Sequence, residues 1–209
     1  KARYGYGKAA AVLGRTTSVY RPSGTGTVIQ APNLVMTKLA AFDTSAFTFV
    51  SPQNIGKFTY CALLDATGLQ VADYLVSASA GTFFVASLDD VAPPLVVQCA
   101  PTMAITRPNA ATTAGFNGYG GPLANQETTI FAGVPMALKI QSTGAAPPAG
   151  LPADATQPTF IIWGPPVYLA AGSVRERDIL TDGTGLRYQV IAVSFESLAT
   201  VIAARRVEA

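Results

Sequence analysis

Apolar positions recur along this chain in two rhythms, and the shorter one dominates. At the start, Lys8-Ala9-Ala10-Ala11-Val12-Leu13 has the composition of a helix. The spacing predicts a helix over Arg3–Leu13, with Gly14 as its C-terminal stop. Gly5 and Gly7 weaken its first turn, and a helix this short needs a surface to pack against. Arg21-Pro22-Ser23-Gly24-Thr25-Gly26 then forms an extended, turn-rich exit. From Val28 onward apolar and small polar residues alternate with a period of two, the mark of half-buried strands. Phe42, Phe47 and Phe49 follow this loosely, and Phe58–Leu63 follows it closely. Further strands are predicted at Tyr74–Val76, Thr82–Ser87, Leu95–Cys99, Thr128–Ala132, Met136–Gln141 and Thr159–Trp163. Asp65–Gly68, Leu88–Asp90 and Asp182–Gly185 read as turns. Two passages, Asn109–Asn125 and Ser142–Pro158, are rich in Gly, Asn, Thr or Pro and read as long loops.

One β-pattern occurs twice. Val71-Ala72-Asp73-Tyr74-Leu75 is followed by Gly81–Ala86 and Leu95–Val97; Arg177-Asp178-Ile179-Leu180 is followed by Gly185–Ile191 and Leu198–Ile202. An Arg-Pro pair stands upstream of each copy, at Arg21-Pro22 and Arg107-Pro108. Such self-similarity predicts two related modules. The expected fold is mainly β: two related small β-barrel or sandwich modules with a short N-terminal helix. The expected division is a helical arm at 1–22, a first β module at 23–105, and a second at 106–209 with the long loops. In the repeated hairpin, Asp73 and Asp178 are expected to cap turns through backbone N–H groups. Gly81 is matched with Gly185 and Phe84 with Tyr188, and the aromatic residues, including Tyr74 and Trp163, are assigned to packing.

Composition narrows the function. Apolar residues make up 49% of the 209 residues and charged residues only 12%, about half the usual charged share of roughly 25%. A surface so poor in charge is covered either by small neutral residues or by partner subunits. No window approaches the roughly 18 apolar residues of a membrane span, so no membrane association is expected, and Lys1–Gly14 lacks the apolar core of a secretion signal. Charge is also uneven. Lys1, Arg3, Lys8, Arg15, Arg21 and Lys38 all precede the first acidic residue, Asp43, giving +6 in the opening segment and −4 in the rest. A basic arm on a mildly acidic body suggests docking to an acidic surface, protein or nucleic acid. A solvated tail is the plainer alternative.

The sequence holds little catalytic chemistry. It has no histidine, which removes Ser-His-Asp and Cys-His machinery and most zinc and copper sites. Gly5-x-Gly7 and Gly24-x-Gly26 lack the remainder of a phosphate loop. Asp89-Asp90 resembles a carboxylate pair only in adjacency, since neighbours on a strand point to opposite faces and on a turn face solvent. Cys61 and Cys99 lack metal or redox spacing; they read as buried free thiols, with a disulfide between them as the alternative. No catalytic residue, metal or cofactor is expected, and no enzymatic activity.

Several short segments carry a resemblance. They are Gly7-Lys8-Ala9-Ala10-x-x-Leu13-Gly14 with Tyr20-Arg21-Pro22; Asp73-Tyr74-Leu75 with Gly81–Val85; Pro94–Cys99; and Arg177-Asp178-Ile179-x-x-Asp182-x-x-Gly185-x-Arg187-Tyr188-x-Val190. Together they resemble the head-to-tail connector proteins (neck, adaptor or collar) of tailed bacteriophages. Ala72 and Arg177 depart from that pattern, standing where a Gly usually precedes the Asp. The resemblance implies a structural virion subunit assembled in the bacterial cytoplasm. It implies a homo-oligomeric ring between portal and tail around a DNA channel, with non-specific contact to packaged DNA. Arg3, Lys8, Leu13, Arg15 and Arg21 would form its inter-subunit docking arm. Two other readings compete: a tail-tip or capsid-surface binding protein using Trp163 and the loop around Tyr119, and a hydrolase using Asp89 and Asp90.

Overall fold

The computed structural model describes residues 2–43, 58–108, 127–141, 159–169 and 172–207; the expected loops Asn109–Asn125 and Ser142–Pro158, together with Phe47, Phe49 and Tyr119, lie outside them. The chain is mainly β. Helix α1 (Ala2–Leu13) leads directly into β1 (Arg15–Tyr20), and β2 (Leu34–Asp43), β3 (Thr59–Leu63), β4 (Tyr74–Ser77), β5 (Gly81–Ser87) and β6 (Leu95–Cys99) follow. These six strands form a closed barrel in the order β1-β2-β3-β6-β5-β4. Closure depends on the length of β2. Its residues Leu34–Ala40 pair with β1, and Ala41–Asp43 pair with β3.

The second half comprises β7 (Thr102–Pro108), β8 (Glu127–Pro135), β9 (Ala137–Gln141), β10 (Thr159–Gly164), β11 (Ile179–Asp182), β12 (Arg187–Phe195) and β13 (Thr200–Val207). They run β8-β7-β11-β12-β13-β10-β9 in one sheet. The two edge strands, β8 and β9, are consecutive in the chain with Met136 alone between them, so the order returns to its start through the backbone. Every pairing of the first barrel has a counterpart. β1–β4, β4–β5, β5–β6 and β6–β3 correspond to β7–β11, β11–β12, β12–β13 and β13–β10. β8 and β9 together take the part of β2, the first pairing with β7 and the second with β10. Both halves are therefore one six-stranded barrel plan, with its long strand interrupted in the second copy after Pro135, which has no N–H to give the ladder. Even the register break of the third pairing recurs, between Val85 and Ser87 and between Val190 and Ala192.

Side-chain alternation explains how the barrels pack. On β5, Phe83 and Val85 point into the first barrel with Val19, Leu75 and Val96, while Phe84 and Ala86 point outward. The outward set, with Tyr74, Val97 and Cys99, joins the core of the second barrel, built from residues such as Ile105, Phe160, Ile162, Leu180 and Ile202. Tyr74 is fully buried there, and its hydroxyl donates to the Pro135 carbonyl at 2.8 Å. The β1–β2 connection straps across the same junction: Val28 N–H donates to Gly133 O at 3.0 Å, and the Val28 side chain is buried in the shared core. The two modules thus share one apolar core.

Three expectations are adjusted. The segment 1–22 is a helix plus a barrel strand. Thr102–Pro108, which straddles the expected boundary at 105, lies wholly in the second barrel as β7. The hairpin repeat is shifted by one residue: Ser77 pairs with Gly81, and the Asp182 N–H donates to Leu186 O, so Gly81 corresponds to Leu186 and Phe83, not Phe84, to Tyr188. A 105-residue offset links Asp73 to Asp178, Gly81 to Leu186 and Val85 to Val190 alike; the paired glycines fall at different points of two turns.

Candidate functional site

The most conserved geometry between the barrels is an arginine–aspartate clamp at the start of each repeated hairpin. In the first, Arg21 Nε and Nη2 donate to Asp73 Oδ1 and Oδ2, both at 2.8 Å. The same Nη2 donates to Gly68 O at 2.8 Å, and the Gln70 N–H donates to Asp73 Oδ2 at 2.8 Å. In the second, Arg107 Nε and Nη2 donate to Asp178 Oδ1 and Oδ2 at 2.9 Å, Nη2 reaches Ser173 O, and the Arg175 N–H caps Oδ2. The aspartates are buried to 1% exposure, and each carboxylate accepts three hydrogen bonds. Two N–H groups of a forked guanidinium are well suited to such a pair. Hydrogen bonding to Asp73 and Asp178 raises the pKa of Arg21 and Arg107, against an opposing effect of burial.

The backbone at both clamps is also the same. Ala72 and Arg177 have φ of 73° and 72°, and among the described residues they alone are non-glycine with positive φ. Each N–H donates across to the next strand, to Val85 O and Val190 O, and the N–H groups of Val85 and Val190 return to Asp73 O and Asp178 O. A left-handed L-residue costs roughly 1–2 kcal/mol, so these turns are held by the clamp and the ladder around them. Both carboxylates are thus committed to holding their own turns.

The sequence-singled residues separate into two groups. Arg21 is a clamp residue whose Nε and Nη2 are committed to its own barrel, while its side chain stays 33% exposed. Arg3, Lys8 and Leu13 lie on α1, and Arg15 opens β1 on the exposed side. α1 is bound to its own barrel: Ala10 is buried, Tyr6 Oη donates to Val91 O at 2.6 Å, and the helix packs on β2 and β3. Gly14 is needed for space more than for a left-handed cap. A Cβ there would lie 2.4 Å from Ala10 O and 2.9 Å from the Ala40 nitrogen. Leu13 and Val12 face solvent at 63% and 84% exposure.

Between the barrels runs an open cleft of about 600 Å³, lined by Phe58, Cys61, Leu95, Trp163 and Leu198 among others, with Lys139 and Glu196 as its charged members. Phe58 and Trp163 meet at a centroid distance of 5.8 Å. No sequence motif flagged this feature, because its walls come from strands a hundred residues apart. Cys61 and Cys99 are free thiols; burial raises the pKa of both, with the Asp43 charge adding to the shift at Cys61, so both are held in the unreactive thiol form. Asp89 accepts from the Val91 and Ala92 N–H groups and so belongs to its turn. No cluster of three or more His, Cys, Asp or Glu able to hold a metal exists among the described residues, and no helix of the structure is long and apolar enough to cross a membrane. No protein-family model, curated protein or solved structure matches this chain.

Proposed function

We propose that this chain is a structural subunit of a tailed-bacteriophage virion, a homo-oligomeric ring component of the neck that joins portal to tail. The observation that carries the reading is the apolar surface left uncovered on a chain with 12% charge. Val12, Leu13, Leu34, Val35 and Leu39 are each more than 40% exposed on α1 and around β2. Exposed apolar side chains of this size suit contact with a partner subunit. The resemblance of the Leu13-Gly14, Tyr20-Arg21-Pro22 and repeated-hairpin segments to connector proteins supplies the kind of assembly, and clamps that serve only the fold suit a building block. Immunogold labelling of tailed particles carrying this chain is expected to mark the junction of head and tail, with class averages of the purified assembly showing a closed ring. Label confined to the tail tip or the capsid surface would refute the neck assignment.

A second reading, a surface-binding protein, is favoured by one feature: Trp163 and Phe58 line an open cleft. Glycan-array binding that Trp163→Ala abolishes, by a chain that stays monomeric, would support that reading over the first.

A further inference from the structure

Because the two barrels follow one plan, each serves as a control for the other. On the outer side of β9, β10 and β13, three differences fall together. By register Lys139 takes the place of Asp43, Trp163 that of Leu63, and Arg205 that of Val97. Leu63 and Val97 are buried, whereas Lys139 and Arg205 are exposed and Trp163 is half-buried. The second barrel thus carries two cations and the chain's only tryptophan on a surface where the first has neither.

Strand alternation puts these residues on one side. Phe160, Ile162, Ile202 and Ala204 point into the core, so Trp163, Lys139 and Arg205 point out. Lys139 pairs with Ile161, and Ile161 with Ala203, two residues from Arg205. Neighbouring strands lie about 4.8 Å apart and each residue rises about 3.4 Å, which sets the two cations roughly 12 Å apart. Lys139 and Trp163 also line the inter-barrel cleft of about 600 Å³, where Trp163 meets Phe58. Among the described residues neither Lys139 nor Arg205 has a side-chain hydrogen bond or an ion pair. The acidic member of the cleft is Glu196, exposed on the turn between β12 and β13.

We propose that this surface binds a single-stranded polynucleotide, with one base stacked on Trp163 in the cleft and the backbone running over Lys139 and Arg205. An aromatic side chain accepts any base through its π-face, and cations beside it hold the phosphates. A duplex keeps its bases inside the stack and offers the tryptophan none. The cleft is within the usual size of ligand sites, roughly 300–1,000 Å³. Glu196 repels phosphate, which confines the backbone to the Lys139 side of the cleft. The site lies on the second barrel and its junction with the first, and it is independent of the ring reading.

The experiment titrates the full chain at low salt with an oligothymidylate of about twelve nucleotides, a length within the site sizes of small barrels. Trp163 is the chain's single indole, so its fluorescence reports the cleft alone, and quenching is expected. An abasic strand and poly-glutamate supply charge without bases, and a duplex of the same length supplies bases already stacked. All three are expected to bind more weakly and to leave the emission unchanged. Anisotropy of the labelled oligothymidylate then reads the variants. Trp163→Ala is expected to weaken binding roughly 5- to 150-fold, the worth of one stacked base. Two phosphate contacts give a slope of log K against log salt of about −1.4, which Lys139→Ala and Arg205→Ala each reduce by about 0.7. Glu196→Gln is expected to tighten binding. Lys139 and Arg205 are exposed, so these variants keep the wild-type melting curve, and their salt slopes decide the matter even if Trp163→Ala unfolds. Unquenched emission, equal binding of the abasic strand, poly-glutamate or the duplex, or slopes unchanged in both cation variants would each overturn the proposal.

Discussion

The two barrels share a backbone and differ in which side of it is apolar. Inward positions agree: Leu75 and Leu180, Val85 and Val190, and Phe83 and Tyr188 are all buried. Outward positions diverge. Phe84 and Val97, which seat the first barrel on the second, become Gln189 and an exposed Arg205. A barrel needs only its inner alternation to close, so its outer face is free to become an interface or a solvated surface. The tandem arrangement is thus written in the outward residues of β4–β6, while the clamp, the left-handed residue and the bulge repeat because closure requires them in both halves.

The largest test of that comparison breaks the clamps. Asp73→Ala and Asp178→Ala each remove a buried carboxylate with three accepted hydrogen bonds, leaving a backbone N–H without its partner and an arginine with only its bond to Gly68 O or Ser173 O. Losing one partner of a buried pair costs about 3–5 kcal/mol. Arg21 and Arg107 keep side-chain exposures of 33% and 30%, and water reaching them reduces the loss to about 3 kcal/mol. Urea denaturation is expected to show nearly equal losses for the two variants. If one barrel tolerated the change and the other did not, the clamps would not be equivalent parts of one design.

Much of this architecture was legible in the sequence, and what was hidden has physical causes. The doubled pattern, the helix end and most strands from Phe58 onward follow from local periodicity. β1 was hidden because Arg15-Thr16-Thr17-Ser18-Val19-Tyr20 has one aliphatic residue. Thr17 is nonetheless fully buried, its hydroxyl satisfied by Arg15 O at 3.0 Å, so a buried position looked polar. The Arg-Pro pairs were visible as a repeat, but their partners lie 52 and 71 residues away, beyond any local rule. The one-residue shift in the hairpin arose from matching glycines, since Gly81 opens β5 while Gly185 sits in the turn before β12. The part of Arg21 in its clamp was hidden as well, because charge alone does not report that a guanidinium is paired within its own fold. The cleft had no signal at all, being a product of how two barrels meet.

A smaller test concerns the junction that precedes each barrel. Gly14 and Ala100 hold equivalent places, yet only Ala100 has a side chain. Gly14→Ala would press a methyl against Ala10 O and the Ala40 backbone, and overpacking of this kind costs about 1–3 kcal/mol. Ala100→Gly meets no such contact and is expected to cost only about 0.5–1 kcal/mol in chain entropy. Hydrogen exchange sharpens the reading: Gly14→Ala is expected to raise exchange across α1 and leave the second barrel protected. Equal effects of the two variants would show that helix and barrel junctions are not counterparts.

The smallest expected effect has the opposite sign. Ala72 and Arg177 hold left-handed backbone that glycine adopts freely, so Ala72→Gly and Arg177→Gly relieve a strain of roughly 1–2 kcal/mol while adding about 0.5–1 kcal/mol of entropy to the unfolded chain. The net gain at Arg177, an exposed position, is expected to be about 0.5–1 kcal/mol. At Ala72 the replaced methyl is buried to 5% exposure, and losing one buried methyl forfeits about 0.8 kcal/mol, which brings that variant close to neutral. Paired thermal melts of the two variants separate the contributions, because backbone strain is common to both sites and methyl burial belongs to one. A gain at Arg177 with none at Ala72 means that the left-handed turn is a cost both barrels carry, offset in the first by packing and in the second by the clamp alone. Gains of equal size would instead make the Ala72 methyl irrelevant to the first barrel.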